Sequence, residues 1–336
     1  MFTSPSSLDL PTGPRQIFEK STFFLRNPRA QLPTPAQVRA ECKAQGGNYG
    51  SARPLPVRFP HLGLIVKFGF VVSITEGQCL LWLKQLGVVR VPEVYGWTTD
   101  RVGYNLEVFL YLELIPAVSL KDRWRWLSRS NKEHIARELR VIMDKVHSIP
   151  PEPGEVYIGS IGKQPVQEDI FASYTEAKPG PFTSLSSFHE YLLCYFRQPP
   201  QWVDPDRHLL PDDVPIQFTH SDLHMGNILV SPPLPWSKES LWMAWQEWSR
   251  NRWSLIWVWR ALWWGTWRRM ECGEPRVVAI LDWQQSGWLP SYWEYCKAMW
   301  TADFQPRSWG NKYLPMILDK NDVFCVWGDI AAAAGI

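Results

Sequence analysis

Apolar positions along this chain fall into two periods, and each period predicts its own elements. Leu64-Ile65-Val66-Lys67-Phe68 is a short run rich in β-branched residues and predicts a strand. Glu107 to Leu114 predicts another. Between them a helix is expected from about Thr75 to Leu86, stopped by Gly87. Pro33 to Lys43 predicts an earlier helix, with Thr34 as N-cap and Pro35 at its first position. Gln45 to Gly50, with three glycines, reads as a flexible segment. After Ile115-Pro116 the period lengthens. Ile135, Leu139, Ile142 and Val146 recur at helical spacing behind a capping box, Ser130-x-x-Glu133, and Pro150-Pro151 ends that helix. Ser187-x-x-Glu190 heads a second helix with Phe188, Leu192 and Tyr195 on one face. The tail from Tyr292 is aromatic and helical in character. Residues 1–32 lack periodicity and predict an irregular arm with one short helix. No internal repeat is present.

Composition narrows the class. The 336 residues are long for one domain and natural for two lobes, and 45% hydrophobic content can supply a substantial core. A formal charge of +2 with no basic run implies no nucleic-acid partner. The six cysteines are scattered without a C-x-x-C, which argues against zinc and against a disulfide framework. That usage suits a reducing, cytoplasmic compartment. Met1 to Pro14 lacks a charged start followed by an apolar core, so no secretory signal is expected.

The candidate chemistry sits in His220-Ser221-Asp222-Leu223-His224-Met225-Gly226-Asn227, which runs into the apolar Ile228-Leu229-Val230. An Asp and an Asn five residues apart on one loop can divide the labour of phosphoryl transfer. The Asp accepts the proton of an acceptor hydroxyl, and the Asn holds magnesium beside the phosphates. Downstream, Val277 to Leu281 leads to Asp282, and a strand-end Asp is where a second magnesium ligand is needed. The plain alternatives are a turn Asp at 222 and an Asp closing a buried strand at 282.

"FTHSDLHMGNILV" followed by "AILDWQQSGWLPSYWEY", with Gly287, Pro290, Trp293 and Glu294 after the second Asp, resembles the aminoglycoside phosphotransferase and choline kinase group. More closely, it resembles the fungal branch of phosphotransferase-family enzymes. The resemblance runs from about Pro33 to the C-terminus. It implies an α+β, protein-kinase-like fold of two lobes, a small β-rich nucleotide-binding lobe over 33–115 and a larger helical lobe over 116–336, with the acceptor site in the second. It implies ATP and Mg2+, with transfer of the γ-phosphoryl to the alcohol group of a small molecule. Residue by residue, Asp222 is the catalytic base, and Asn227 and Asp282 are the metal ligands. Lys67 grips phosphate, Glu76 pairs with Lys67, and Glu113 and Leu114 meet the adenine through backbone groups. His220 supports the catalytic loop. Ordinary readings stand beside these: Lys67 as an edge-strand lysine, and Glu76 as the closing member of a Ser73-x-x-Glu76 capping box. His224 either supports the loop or faces substrate.

Three departures from the resembled pattern support an alternative, a catalytically impaired module that binds nucleotide or a partner: Gly46 to Gly50 is the only glycine-rich candidate for a phosphate loop, Gln78 stands where some relatives carry a second Glu, and a long insertion follows Val230. Gln284 replaces the usual Glu after Asp-Trp, a change that tunes the site without removing a metal ligand. A protein kinase is disfavoured, because no A-P-E motif follows Asp282.

The largest departure is an interruption. Relatives pass from the "NILV" strand to the "ILDW" strand in roughly ten residues. Here Ser231 to Gly273 intervenes, and ten of the 21 tryptophans fall between Trp236 and Trp267. Trp253 to Trp267 is fifteen residues long and contains Arg260, too short and too charged to span a bilayer. The insertion 232–272 has three readings: a membrane-surface amphipathic helix through 253–267, a lid or partner-binding element, or translated intron sequence. Removing it leaves "NILVS-GEPRVVAILDW", a link of ordinary length.

Overall fold

Five antiparallel strands build the first lobe of the computed structural model, which describes residues 10–51, 53–151, 156–171, 179–194, 206–233 and 274–334. They are β1 (Arg15–Ile17), β2 (Val57–Phe59), β3 (Leu64–Gly69), β4 (Val94–Val102) and β5 (Asn105–Glu113), in the order β1-β4-β5-β3-β2. β5 is central, and its residues 107–112 are buried in succession, so both sheet faces are covered. Side chains alternate across the sheet. Phe109 and Tyr111 point with Val66 and Phe68 to one face, closed by Val38 and Cys42 of α2 (Pro35–Ala44). Leu110 and Leu112 point to the other, closed by α3 (Ile74–Leu86). Lys67 lies opposite Leu110, and this register turns it toward α3.

The helix ends follow local chemistry. Thr34 and Gln37 form a reciprocal capping box at α2, behind Pro35. Ser73 Oγ accepts from Thr75 N at 3.1 Å to start α3, and Gly87 ends it at φ 65°, the left-handed conformation glycine adopts without penalty. The arm before Pro33 adds β1 and α1 (Thr22–Arg26).

The second lobe starts with β6 (Val118–Ser119) and α4 (Leu120–Arg123), followed by α5 (Arg129–His147), which buries Ile135, Leu139, Met143 and Val146. Its cap is Ser128, whose hydroxyl accepts from Asn131 N at 3.1 Å. This corrects the expected Ser130 box: Glu133 is drawn instead to Arg129 and Lys312. At α6 (Leu185–Cys194) the cap likewise moves to Ser184, which accepts from Ser187 N, and Glu190 pairs with Arg207. Phe188 and Leu192 are buried as expected, and Tyr195 lies outside the described residues.

Two small sheets carry the motif segments. β7 (Ile216–Thr219) pairs with β10 (Gly287–Pro290), and β8 (Ile228–Val230) pairs with both β6 and β9 (Val277–Ile280). Beyond β9, Ser231 N donates to Arg276 O at 3.0 Å and Arg276 N donates to Ser231 Oγ at 3.2 Å. These bonds close the β8–β9 pair where the insertion leaves and re-enters. The insertion from residue 234 to 273 lies outside the described residues. Among the described residues no helix is long and apolar enough to cross a membrane.

α3 joins the lobes. Trp82 packs edge-on against Phe218 of β7 at 5.0 Å and tilts on Trp288 of β10 at 5.5 Å. Cys79 and Ser286 lie 3.1 Å apart, and Gln164 bonds both Thr75 and Gln78. A small β-rich lobe and a larger helical lobe make up the two-lobed α+β arrangement that the resemblance implies.

Candidate active site

β7 delivers His220 to a loop held from below by one carboxylate. Glu294, in the first turn of α7 (Trp293–Ala302), accepts from His220 N at 2.6 Å and from Ser221 N at 3.1 Å. Burial would raise its pKa, but the His147 side chain and the bond from the His220 amide hold it below its ordinary value. The clamp matters because Ser221 sits at φ 68°, unfavourable for a residue with a Cβ. His220 is fully buried. Its Nε2 lies 2.8 Å from Leu281 O and its Nδ1 accepts from Asp222 N at 3.1 Å, which makes the neutral Nε2–H tautomer the fitting one. Burial lowers its pKa in keeping with that form. His220 therefore ties the Asp222 loop to the Asp282 strand.

Asn227 donates from Nδ2 to Asp222 O at 2.9 Å and to Asp222 Oδ2 at 3.0 Å. The amide oxygen is left facing away from those bonds. Burial pushes Asp222 up to about 7, offset in part by Lys297. His224 Nε2 lies 3.7 Å from Asp222 Oδ2, while its Nδ1 accepts from Gly226 N at 2.9 Å. Leu281 N donates to Asn227 O at 2.8 Å, so the two motif halves meet along the chain. Asp282 adopts φ 61°, a left-handed conformation that Asp tolerates better than most residues, and Trp283 is buried edge-on to His220 at 4.6 Å.

Lys67 joins the lobes at this point. Its ammonium lies 2.8 Å from Glu76 Oε2 and 2.6 Å from Asp282 Oδ1. Glu76 thus turns to the lysine and does not close a capping box; Ser73 caps α3 alone. Burial opposes the charge of Lys67, but the two carboxylates more than compensate and its pKa rises. Lys67 also holds Asp282 below its ordinary value against burial.

The remaining sequence candidates make bonds of their own. Glu113 N donates to Glu93 O at 2.8 Å and Leu114 N to Gly63 O at 2.9 Å, so those two amides are spent within the first lobe. Beside them, Ile115, Leu229 and Ala279 form a small apolar cluster apart from the main core, flanked by Ala117, Val278 and Leu281. The glycine cluster closes α2, where Gly47 N returns to Cys42 O. Gln284 bonds Val71 O at 2.8 Å, and Gln78 bonds Pro11 O at 2.8 Å.

Under the loop lies a buried network for which the sequence offers little sign. Lys297 Nζ lies 2.7 Å from Glu168 Oε2 and 3.0 Å from Gln285 Oε1, and Trp293 Nε1 donates to Glu168 Oε1 at 2.8 Å. A buried pair satisfied in this way is costly to break by removing one partner. Glu294 and Trp293 stand within the quoted motif. Lys297, one turn further along an apolar helix, carries no local signal, and neither does Glu168.

The phosphotransferase enzyme family model matches residues 72–235. No curated protein gives a significant match. Among solved structures, one described as WaaP in complex with acyl carrier protein aligns with 90% of this chain and 98% of its own, at 11% identity and a TM-score of 0.37. An ethanolamine kinase from Plasmodium vivax aligns with 85% of this chain and 73% of its own, at 12% identity and a TM-score of 0.38. From α3 to the strand after its Asp222 loop, the chain carries the pattern of the phosphotransferase enzyme family, the group its sequence resembles.

Proposed function

We propose that this chain transfers the γ-phosphoryl of ATP to a hydroxyl of a small molecule, with Asp222 as base. The carrying observation is Lys67, bonded to Glu76 of α3 and to Asp282 across the cleft. A strand lysine set between a helix glutamate and a strand-end aspartate is the phosphate-gripping arrangement of kinases. Its charge is fixed where phosphates would lie. The apolar cluster of Ile115, Leu229 and Ala279 offers a base-sized platform at the end of β5, and the family match supports the same reaction class.

Magnesium fits the donors present. Asn227 has an amide oxygen not used by its bonds to Asp222, and Asp282 has a second carboxylate oxygen beyond the one on Lys67. Among the described residues no three His, Cys, Asp or Glu side chains form a cage. Magnesium takes one or two protein oxygens and completes its shell with phosphates and water. When bound it supplies charge neutralisation across the phosphates. The chain does the rest. Lys67 orients the phosphates, Glu294 and His220 hold the loop, and Asp222 takes the acceptor's proton as its oxygen bonds to the γ-phosphorus and ADP leaves. A module that only bound nucleotide would need neither Asp222 nor its bond to Asn227. A reducing, cytoplasmic setting fits Cys42, Cys79 and Cys296, all free and buried.

The test is Asp222→Ala. Transfer should fall at least a hundredfold, the scale of a lost general base, while ATP–magnesium binding persists. Unchanged turnover would refute the assignment.

A further inference from the structure

One cation at the cleft is not used by the chemistry described so far. Arg53 lies just ahead of β2, which runs antiparallel to β3 with Val57 opposite Val66. Arg53 stands four residues before Val57 on the same chain segment. From there the Arg53 guanidinium reaches the other lobe and pairs with Asp169 at 2.5 Å. Asp169 is braced from behind, its N–H donating at 3.1 Å to the same Gln285 oxygen that accepts from Lys297. Burial works against the charge of Arg53, but Asp169, then Asp282 and Asp222, more than offset it. Gln285, which braces Asp169, stands three residues after Asp282, so the Arg53–Asp169 pair lies on the segment that leaves the phosphate site. The Arg53 side chain is 58% exposed, so its pair with Asp169 is weakly held and open to exchange.

We propose that Arg53 is the ligand of the nucleotide's terminal phosphate, leaving Asp169 for that phosphate when ATP enters. The inference rests on the phosphotransferase reading above. A guanidinium presents a planar fork that matches two phosphate oxygens at once, which an ammonium cannot do. The glycine cluster that might have cradled phosphate closes α2 instead, and Arg53 follows it on the way into β2. Asp169 then serves as the counter-ion of Arg53 before nucleotide binds.

Equilibrium binding of ATP, ADP and AMP with magnesium, on the full chain, tests this in wild type, Arg53→Ala, Arg53→Lys and Asp169→Asn. Arg53→Ala should weaken ATP about tenfold or more and leave AMP unchanged. Arg53→Lys should recover part of the loss. Asp169→Asn should tighten ATP severalfold, because nothing then competes for the guanidinium. Equal ATP affinity in wild type and Arg53→Ala, or an equal loss for ATP and AMP, overturns the assignment and leaves Arg53–Asp169 a simple brace. If wild type binds ATP and Arg53→Ala does not differ, only this inference falls. If wild type binds no nucleotide, the phosphotransferase reading falls with it.

Discussion

Asp222 is held where it costs the fold stability. Its carboxylate is lifted by burial from 3.8 to about 7. The sign follows from linkage. Below the unfolded value both states are protonated and nothing is lost. Between 3.8 and about 7 the unfolded chain ionises while the folded one keeps its proton, so stability falls across that window and levels off above it, where the folded chain carries the buried charge. At about 1.4 kcal/mol per pK unit the ceiling is about 4 kcal/mol, and the partial exposure of the side chain brings the expected effect to about 1–3 kcal/mol. Asp222→Asn should therefore be more stable than wild type at pH 8 and equal to it near pH 4. Denaturant titrations of both proteins at the two pH values check this, and a gain at pH 4 alone would contradict it. At this scale the sequence was most legible where spacing is local. Asp222 with Asn227, and Asp282 at a strand end, are short patterns. Glu294 and Lys297 are not, because their partners lie 74 and 129 positions away.

Among the elements, α3 decides whether Lys67 has its partner. The helix sits tight on the sheet because residue 77 is glycine. A Cβ there would lie 3.0 Å from Leu110 Cδ1 and 3.1 Å from Trp97 Cε3. Alanine gains roughly 1 kcal/mol of helix propensity against that crowding and should come out near neutral. Valine adds bulk without that gain, so Gly77→Val should cost about 1–3 kcal/mol in urea unfolding and weaken ATP binding by displacing Glu76. Wild-type stability in that variant would mean that α3 is seated less closely. Legibility at this scale followed burial. β3, β5 and the ends of α3 could be read because continuous apolar runs and a terminal glycine mark them. β4 could not, since its far half, Thr98 to Val102, is polar and partly exposed. β1 could not either, as its three residues are a strand only by pairing with β4. The caps at Ser128 and Ser184 were misplaced by two and three residues because adjacent serines offer the same local chemistry.

For the molecule as a whole, the question is how an insertion rich in tryptophan coexists with the site. Ser231 and Arg276 are bonded to each other across its base, so the β8–β9 pair is complete without it. Deleting 232–272 leaves Gly273, Glu274 and Pro275 as the link, and the shorter loop lowers closure entropy by about 2 kcal/mol. The shortened chain should show the proposed ATP–magnesium binding as well as the full chain does, and melt no lower. A loss of cooperative melting would show that the segment is integral to the fold. Sequencing the transcript separates an expressed insertion from a retained intron.

The closed base of that hairpin also makes it a port. Two chain ends emerging there start side by side, whatever length passes between them, so a folded domain with adjacent termini could be spliced in place of the native segment. β8 begins just after Asn227 and β9 runs to within two residues of Asp282. A guest domain that stiffens or swells on binding its own ligand would pull on both strands at once, and the proposed phosphoryl-transfer site would in this way become a sensor.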